Sequence, residues 1–155
     1  MFKAKEFKIA ASQKRIDVTS SPKAARGILE QLMAQLKVLS LSDECAGKIE
    51  LVVAEAINNI VEHAYPPGAP DGPIQLSWSF EDNRLNFAIT DQGLGMPDGK
   101  APSGRAKNVK VDLMDLPEGG FGWFLIRDQA EDVEYRRTGW ENCLSFGVPV
   151  NLGAA

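Results

Sequence analysis

Histidine and cysteine are almost missing: one His and two Cys in 155 residues. A lone His63 cannot supply a Ser-His-Asp set or a Cys-His pair, so nucleophilic enzymes of those kinds are excluded. Cys45 falls at a helix start and Cys143 in a strand pattern, and both are read as free thiols rather than a disulfide. No second Cys or His stands at chelating spacing from either, which removes a zinc centre built on them. Positive charge is also short, with 17 Lys and Arg against 21 Asp and Glu and a net charge of −4. Nucleic acid is therefore not expected as a direct partner, and Arg136-Arg137 is too small a cluster to change that. No apolar run approaches the ~20 residues of a membrane span, and MFKAKEFKIA has no signal-peptide core. The expectation is a cytoplasmic protein with no membrane contact. Internal repeats and low-complexity linkers are absent too. The length suits one core and is short for two, so 1–155 is read as a single domain.

What the chain does have is a helix with chemistry along one edge. Ile49, Val52, Val53, Ala56, Ile57, Ile60 and Val61 recur at helical spacing, after Ser42 and Asp43 as a start signal. Glu55, Asn59 and His63 lie four apart in the same run, and i, i+4 residues stack on one helix face. An acid and an amide on a helix packed against a core make a plausible floor for a metal and phosphate site. Taken alone, they equally describe the solvated side of an amphipathic helix. Asn58 points elsewhere and is read as structural. His63, near the helix end, is read as interacting with the last carbonyls. Tyr65, Trp78, Trp123 and Trp140 are assigned to core or rim packing.

Two glycine-bearing segments follow. Leu85, Phe87 and Ile89 alternate with polar or small residues as in a strand that ends at Asp91, before Gly93 and Gly95. Further on, Gly119, Gly120 and Gly122 precede an apolar helical run with Trp123, Phe124, Ile126 and Ala130 as its buried positions. Glycines there let backbone N–H groups approach a ligand, which is how helix N-termini bind phosphate. Between them, 96–118 is broken by Pro97, Gly99, Pro102, Gly104 and Pro117. A stretch that long without periodicity is a lid, a binding loop or a disordered insertion, and its position favours a lid.

The remaining elements give the fold class. Phe7 and Ile9 suggest a short edge strand within an N-terminal strand region, 1–17. Ser21-Pro22 opens a first helix with Ile28, Leu29, Leu32, Leu36 and Leu39 as its stripe. PPGAPDGP is a loop. Strands are expected at 74–80 and 84–90 around a turn at Asp82-Asn83, and at 133–137 and 143–148. Helices, strands, a helix and strands in that order imply an α+β two-layer sandwich. Its sheet is expected to be mixed, mostly antiparallel, with helices on one face.

Three ordered segments carry a resemblance. EAINNIVEHAY, with Glu55, Asn59, His63, Ala64 and Tyr65, resembles the first nucleotide-binding box of the ATPase superfamily shared by type II topoisomerases, heat-shock chaperones, histidine kinases and mismatch-repair proteins. Asp91, Gly93 and Gly95 match the second box; Gly120, Gly122, Leu125 and Ile126 match the third, with Phe121 where a basic or small residue is common. Within the superfamily the chain is most similar to the small anti-sigma-factor serine kinases, over a stretch from about Val18 to the end. The resemblance implies a Bergerat-type ATP-binding fold, with ATP and Mg²⁺ as cofactors. It implies that Asp91 accepts the adenine amino group, Asn59 offers an oxygen to Mg²⁺, and Glu55 is the catalytic base. Gly93, Gly95, Gly120 and Gly122 would bring backbone N–H groups to the nucleotide. The implied activity is a protein serine kinase that binds a sigma factor, phosphorylates a serine of a STAS-type antagonist and forms a homodimer. A non-catalytic ATP-gated binding module and an ATP hydrolase are the alternatives from other classes.

Overall fold

The structure, a computed structural model, describes residues 14–96 and 120–150. The strand expected at Phe7 and Ile9 and, Met96 apart, the 96–118 segment lie outside the described residues.

Five strands and three α-helices follow one another as β1 (Lys14–Thr19), α1 (Ala24–Leu36), α2 (Asp43–Asn59), β2 (Pro73–Glu81), β3 (Arg84–Asp91), α3 (Gly120–Gln129), β4 (Glu131–Thr138) and β5 (Glu141–Pro149). Short turns extend two of the helices: 3₁₀ at Lys37–Leu39 and π at Ile60–Ala64. The α+β two-layer class expected from the sequence is the class found. The sheet order is β1-β2-β3-β5-β4, and every pairing among the described residues is antiparallel. The expected mixed character survives only indirectly. β3 and β4, joined through α3, run the same way, but β5 lies between them, so no parallel pair is hydrogen-bonded.

Local chemistry explains most of the boundaries. Ser42 caps α2 by accepting from the Cys45 backbone N–H at 3.1 Å, with Asp43 and Glu44 in the first turn facing the positive helix end. The first helix starts later than expected. Ser21 accepts from the Lys23 N–H at 3.2 Å and its carbonyl accepts from Ala24 at 3.0 Å, so Ser21-Pro22 forms a turn ahead of α1. Asp82 and Asn83 both take positive φ, 53° and 57°, the geometry of the tight hairpin between β2 and β3.

Register puts one face of the sheet into the core. Trp78, Phe87 and Phe146 form one cross-strand row, and Leu76, Ile89, Leu144 and Tyr135 form the next. The Phe87 and Phe146 rings are 5.3 Å apart, a pair worth about 0.5–1.5 kcal/mol beyond their burial. Ile28, Leu32 and Leu36 of α1 and Ile49, Val52, Val53, Ala56 and Ile57 of α2 cover this face. Trp123 and Ile126 of α3 complete the layer. Trp78 keeps its indole N–H satisfied by donating to Gln35 Oε1 at 2.6 Å. The following row changes character: Ile74, Asp91, Asn142 and Arg137 stand side by side across four strands. The core face thus ends in a polar row, and the candidate site is built there.

Candidate nucleotide site at the polar end of the core

Glu55 and Asn59 occupy the last turns of α2, Glu55 half-buried and Asn59 only 3% exposed. Asn59 Nδ2 donates to the Glu55 backbone carbonyl at 2.9 Å. Only the nitrogen of an amide can make that bond, so Oδ1 is turned away from the helix backbone and left as an acceptor. Such an oxygen suits Mg²⁺, which takes hard oxygen ligands and draws most of its shell from water and phosphates. Among the described residues no group of three His, Cys, Asp or Glu could hold a metal by itself. That fits an ion carried in with a nucleotide better than a resident one.

Gly122, in the first turn of α3, lies directly against this edge. A Cβ there would stand 2.7 Å from Glu55 Oε2 and 3.4 Å from Asn59 Nδ2. Gly120 is the first residue of α3, so the two glycines open the helix from within. The helix edge and the third box are therefore in contact.

The second box meets the same helix at its far end. The π-turn Ile60–Ala64, closed by Tyr65 N–H donating to the Ile60 carbonyl at 3.3 Å, leaves the Ala64 carbonyl without a helical partner. That carbonyl accepts from Leu94 N–H at 2.9 Å, and a Cβ on Gly93 would collide with the same oxygen. Tyr65 reinforces the junction, donating to the Pro73 carbonyl at 2.8 Å and accepting from Gln92 N–H at 2.8 Å. It is buried as expected, and burial raises its pKa, helped by the nearby Asp91 charge and opposed by the Gln92 N–H. His63 departs from the helix-face expectation. The wider π winding interrupts the i, i+4 stack after Asn59, and His63 is exposed. Trp78 and Trp123 are buried, whereas Trp140 is 76% exposed at the β4–β5 turn.

Asp91 ends β3 at 5% exposure. Its Oδ1 accepts from Gly93 N–H at 2.9 Å and from Asn142 Nδ2 at 2.7 Å. Among the described residues nothing donates to Oδ2, which remains the free acceptor. Burial pushes the carboxyl pKa up, and Glu141 adds to this. The bonds from Asn142 and Gly93 and the Arg137 charge pull it back. Gly95 lies under Arg137, whose Cδ would be 3.0 Å from a Cβ there.

Three residues of this network were not singled out from the sequence. Asn142, 2% exposed, donates to Asp91, to the Leu94 carbonyl at 3.0 Å and to the Gly93 carbonyl at 3.3 Å. Its Oδ1 accepts from Tyr135 OH at 2.5 Å and Arg137 Nη1 at 2.7 Å. The signal was available: Asn142 keeps period two with Leu144, Phe146 and Val148, which places an amide on the core face.

Comparison with known proteins agrees with this geometry. The chain is 35% identical over 99 residues to the serine-protein kinase RsbW of Halalkalibacterium halodurans, covering 57% of this chain and 53% of the relative. It is 34% identical over 95 residues to RsbW of Staphylococcus epidermidis, covering 58% of each. The chain thus spans little more than half the length of these relatives. Among solved structures, the RsbU and RsbW domains of a Mycobacterium tuberculosis protein superpose with a TM-score of 0.62 at 14% identity, covering 89% of this chain and 32% of that one, which supports the fold. A family profile described as the histidine kinase-like ATPase domain matches residues 18–147. With the profile spanning nearly all of the described fold, the chain belongs to the histidine kinase-like ATPase domain family.

Proposed function

We propose that this chain is an ATP-dependent protein serine kinase acting as an anti-sigma switch, which binds a sigma factor and phosphorylates a serine of a STAS-type antagonist protein. The observation that carries the reading is the convergence of the three boxes on the end of α2: Gly122 against Glu55 and Asn59, and the Asp91 loop against Ala64. Likeness to proteins named serine-protein kinase supports the choice of reaction. Asp91 Oδ2 accepts the adenine amino group, and Gly93, Gly95, Gly120 and Gly122 keep side chains out of the way of the nucleotide. Asn59 Oδ1 holds the cation. Glu55 takes the proton of the attacking serine hydroxyl, a role worth about 10²–10⁴-fold in rate. When bound, ATP with Mg²⁺ supplies the phosphoryl group and the charge that offsets its phosphates. Phosphate adds about −1.5 to −2 charges to the antagonist, enough to weaken a docked complex. A homodimer and a cytoplasmic location belong to the same proposal.

Glu55→Gln tests it, since that change keeps size and hydrogen bonding while removing basicity. Nucleotide affinity is expected to hold, while transfer from γ-labelled ATP to a STAS-type protein falls ~10²-fold or more. Asn59→Ala is expected to lose Mg²⁺-dependent affinity as well as transfer. A wild-type rate in Glu55→Gln removes Glu55 as the base. Wild-type protein that labels no protein, yet drops a partner on adding ATP, makes the chain an ATP-gated binding module. Release of inorganic phosphate alone makes it a hydrolase.

A further inference from the structure

β4 is an edge strand, and charged side chains on an edge ordinarily just keep it solvated. Tyr135 and Arg137 do something else. They sit in the two rows of the core face that contain Leu144 and Asn142, and both reach across Asn142 to the loop after β3. Tyr135 OH donates to Asn142 Oδ1 and accepts from Met96 N–H at 2.9 Å. Arg137 Nη1 donates to Asn142 Oδ1 at 2.7 Å and to the Gly93 carbonyl at 3.0 Å. Two donors on one amide oxygen leave Asn142 a single orientation, with Nδ2 aimed at Asp91 Oδ1. The loop at 91–96 has no regular structure, and side chains of β4 and β5 take up its Gly93 and Leu94 carbonyls and its Met96 N–H.

We propose that Tyr135 and Arg137 are positioning residues for the base: acting through Asn142, they fix which oxygen of Asp91 faces the ligand and hold that carboxylate charged. The inference rests on the nucleotide-binding reading above, and no resemblance or comparison assigns either residue a role. Saturating Oδ1 with two protein donors reserves Oδ2 for the adenine amino group. The two residues contribute differently. Tyr135 supplies geometry alone, while Arg137 supplies geometry and a positive charge beside a buried acid. Other ionisable groups around Asp91 are Glu141 and Cys143 of β5 and Tyr65 after the π-turn. Glu141 adds negative charge, and Cys143 and Tyr65 are uncharged because burial raises both their pKa values. Arg137 is thus the cation that acts on Asp91 in this set.

The test is ADP binding by calorimetry from about pH 5 to about pH 8, on the full chain and three variants. ADP is the probe because its binding needs no phosphotransfer. A protonated Asp91 is a poorer acceptor, so wild-type affinity is expected to fall on the acid side. In Arg137→Met, neutral-pH affinity falls roughly tenfold and the acid-side fall moves to higher pH. Arg137→Lys restores the pH position, because the charge is back. Tyr135→Phe loses a similar factor at every pH without moving the profile. A merely structural role would lower the melting temperature and leave the pH profile in place. Wild-type affinity and profile in both Arg137→Met and Tyr135→Phe overturn the inference while the nucleotide site stands. Wild-type protein that binds no adenine nucleotide overturns the site reading and the positioning role together.

Discussion

Replacing Gly122 by alanine separates the catalytic geometry from the stability of the fold. The new methyl would lie 2.7 Å from Glu55 Oε2, where ordinary contact begins near 3.4 Å. The carboxylate oxygen must retreat by about 0.7 Å to relieve the overlap. Glu55 is half-buried, so its flexible side chain can yield and the backbone need not. Pushing it off its preferred rotamer costs about 0.5–1.5 kcal/mol. Alanine inside a helix returns about 0.5–1 kcal/mol through a less flexible unfolded chain. Gly122 has no positive φ to oppose the change. The two effects cancel to within about 1 kcal/mol, and the melting temperature is expected to move by a few degrees at most. Rate is less forgiving, because a 1 Å misplacement of a catalytic group costs about 10²-fold. Phosphotransfer to the antagonist is therefore expected to fall roughly 10- to 100-fold. Thermal melting and transfer of γ-labelled phosphate on the same preparation measure both quantities. A transfer rate within twofold of wild type would show that Glu55 need not stay where Gly122 leaves it.

Asp91→Asn keeps an acceptor for Gly93 and Asn142 but puts an NH₂ where the free oxygen was. ADP affinity is expected to fall about 10- to 100-fold by calorimetry, and the preference over GDP to shrink, because guanine presents a carbonyl there. Its stability effect follows from the sign of the shift. Asp91 has a raised pKa in the fold, so its contribution to stability is complete at low pH and is lost as pH rises through the folded value. The variant is thus expected to melt at or above wild type near neutral pH, with that gain vanishing below the ordinary carboxylate range. Gly93→Ala is expected to behave unlike Gly122→Ala, since the obstacle is the Ala64 backbone carbonyl and cannot swing aside. A loss of about 2 kcal/mol or more in denaturant titrations is expected, together with nucleotide binding.

The sequence was most legible where one periodicity and one chemistry coincided. The stripe of α2, the alternation of β2 and β3 and the Asp82-Asn83 turn needed only neighbouring residues, and the structure matches them within a residue or so. β1 was harder to see, because Lys14, Arg15 and Asp17 surround a single fully buried Ile16. The π-turn is invisible to periodicity. Its residues suit an α-helix, and the change of hydrogen bonding accompanies contact with the Gly93-Leu94 loop some thirty residues on. Tyr135, Arg137 and Asn142 escaped for a related reason. Each reads locally as an edge or solvated residue, and only the β3–β5–β4 register aligns them with Asp91. The acid, the amide and the glycines were found because they are spaced along single elements. Their supports were missed because they are spaced across strands.

The π-turn at Ile60–Ala64 makes the chain length between Asn59 and Tyr65 a fixed quantity. An α-helix advances about 100° per residue, so losing one residue here and rewinding to α would rotate everything beyond it by that angle. The Ala64 carbonyl would then no longer meet Leu94, and Tyr65 would leave the Pro73 carbonyl and the Gln92 N–H. Substitutions at Val61 or Glu62, whose side chains are not fully buried, leave this phase untouched. The segment therefore behaves as a spacer: it tolerates changes in residue type but not in residue number, and a single-codon deletion there should uncouple the acid-amide edge from the Asp91 loop while leaving both intact.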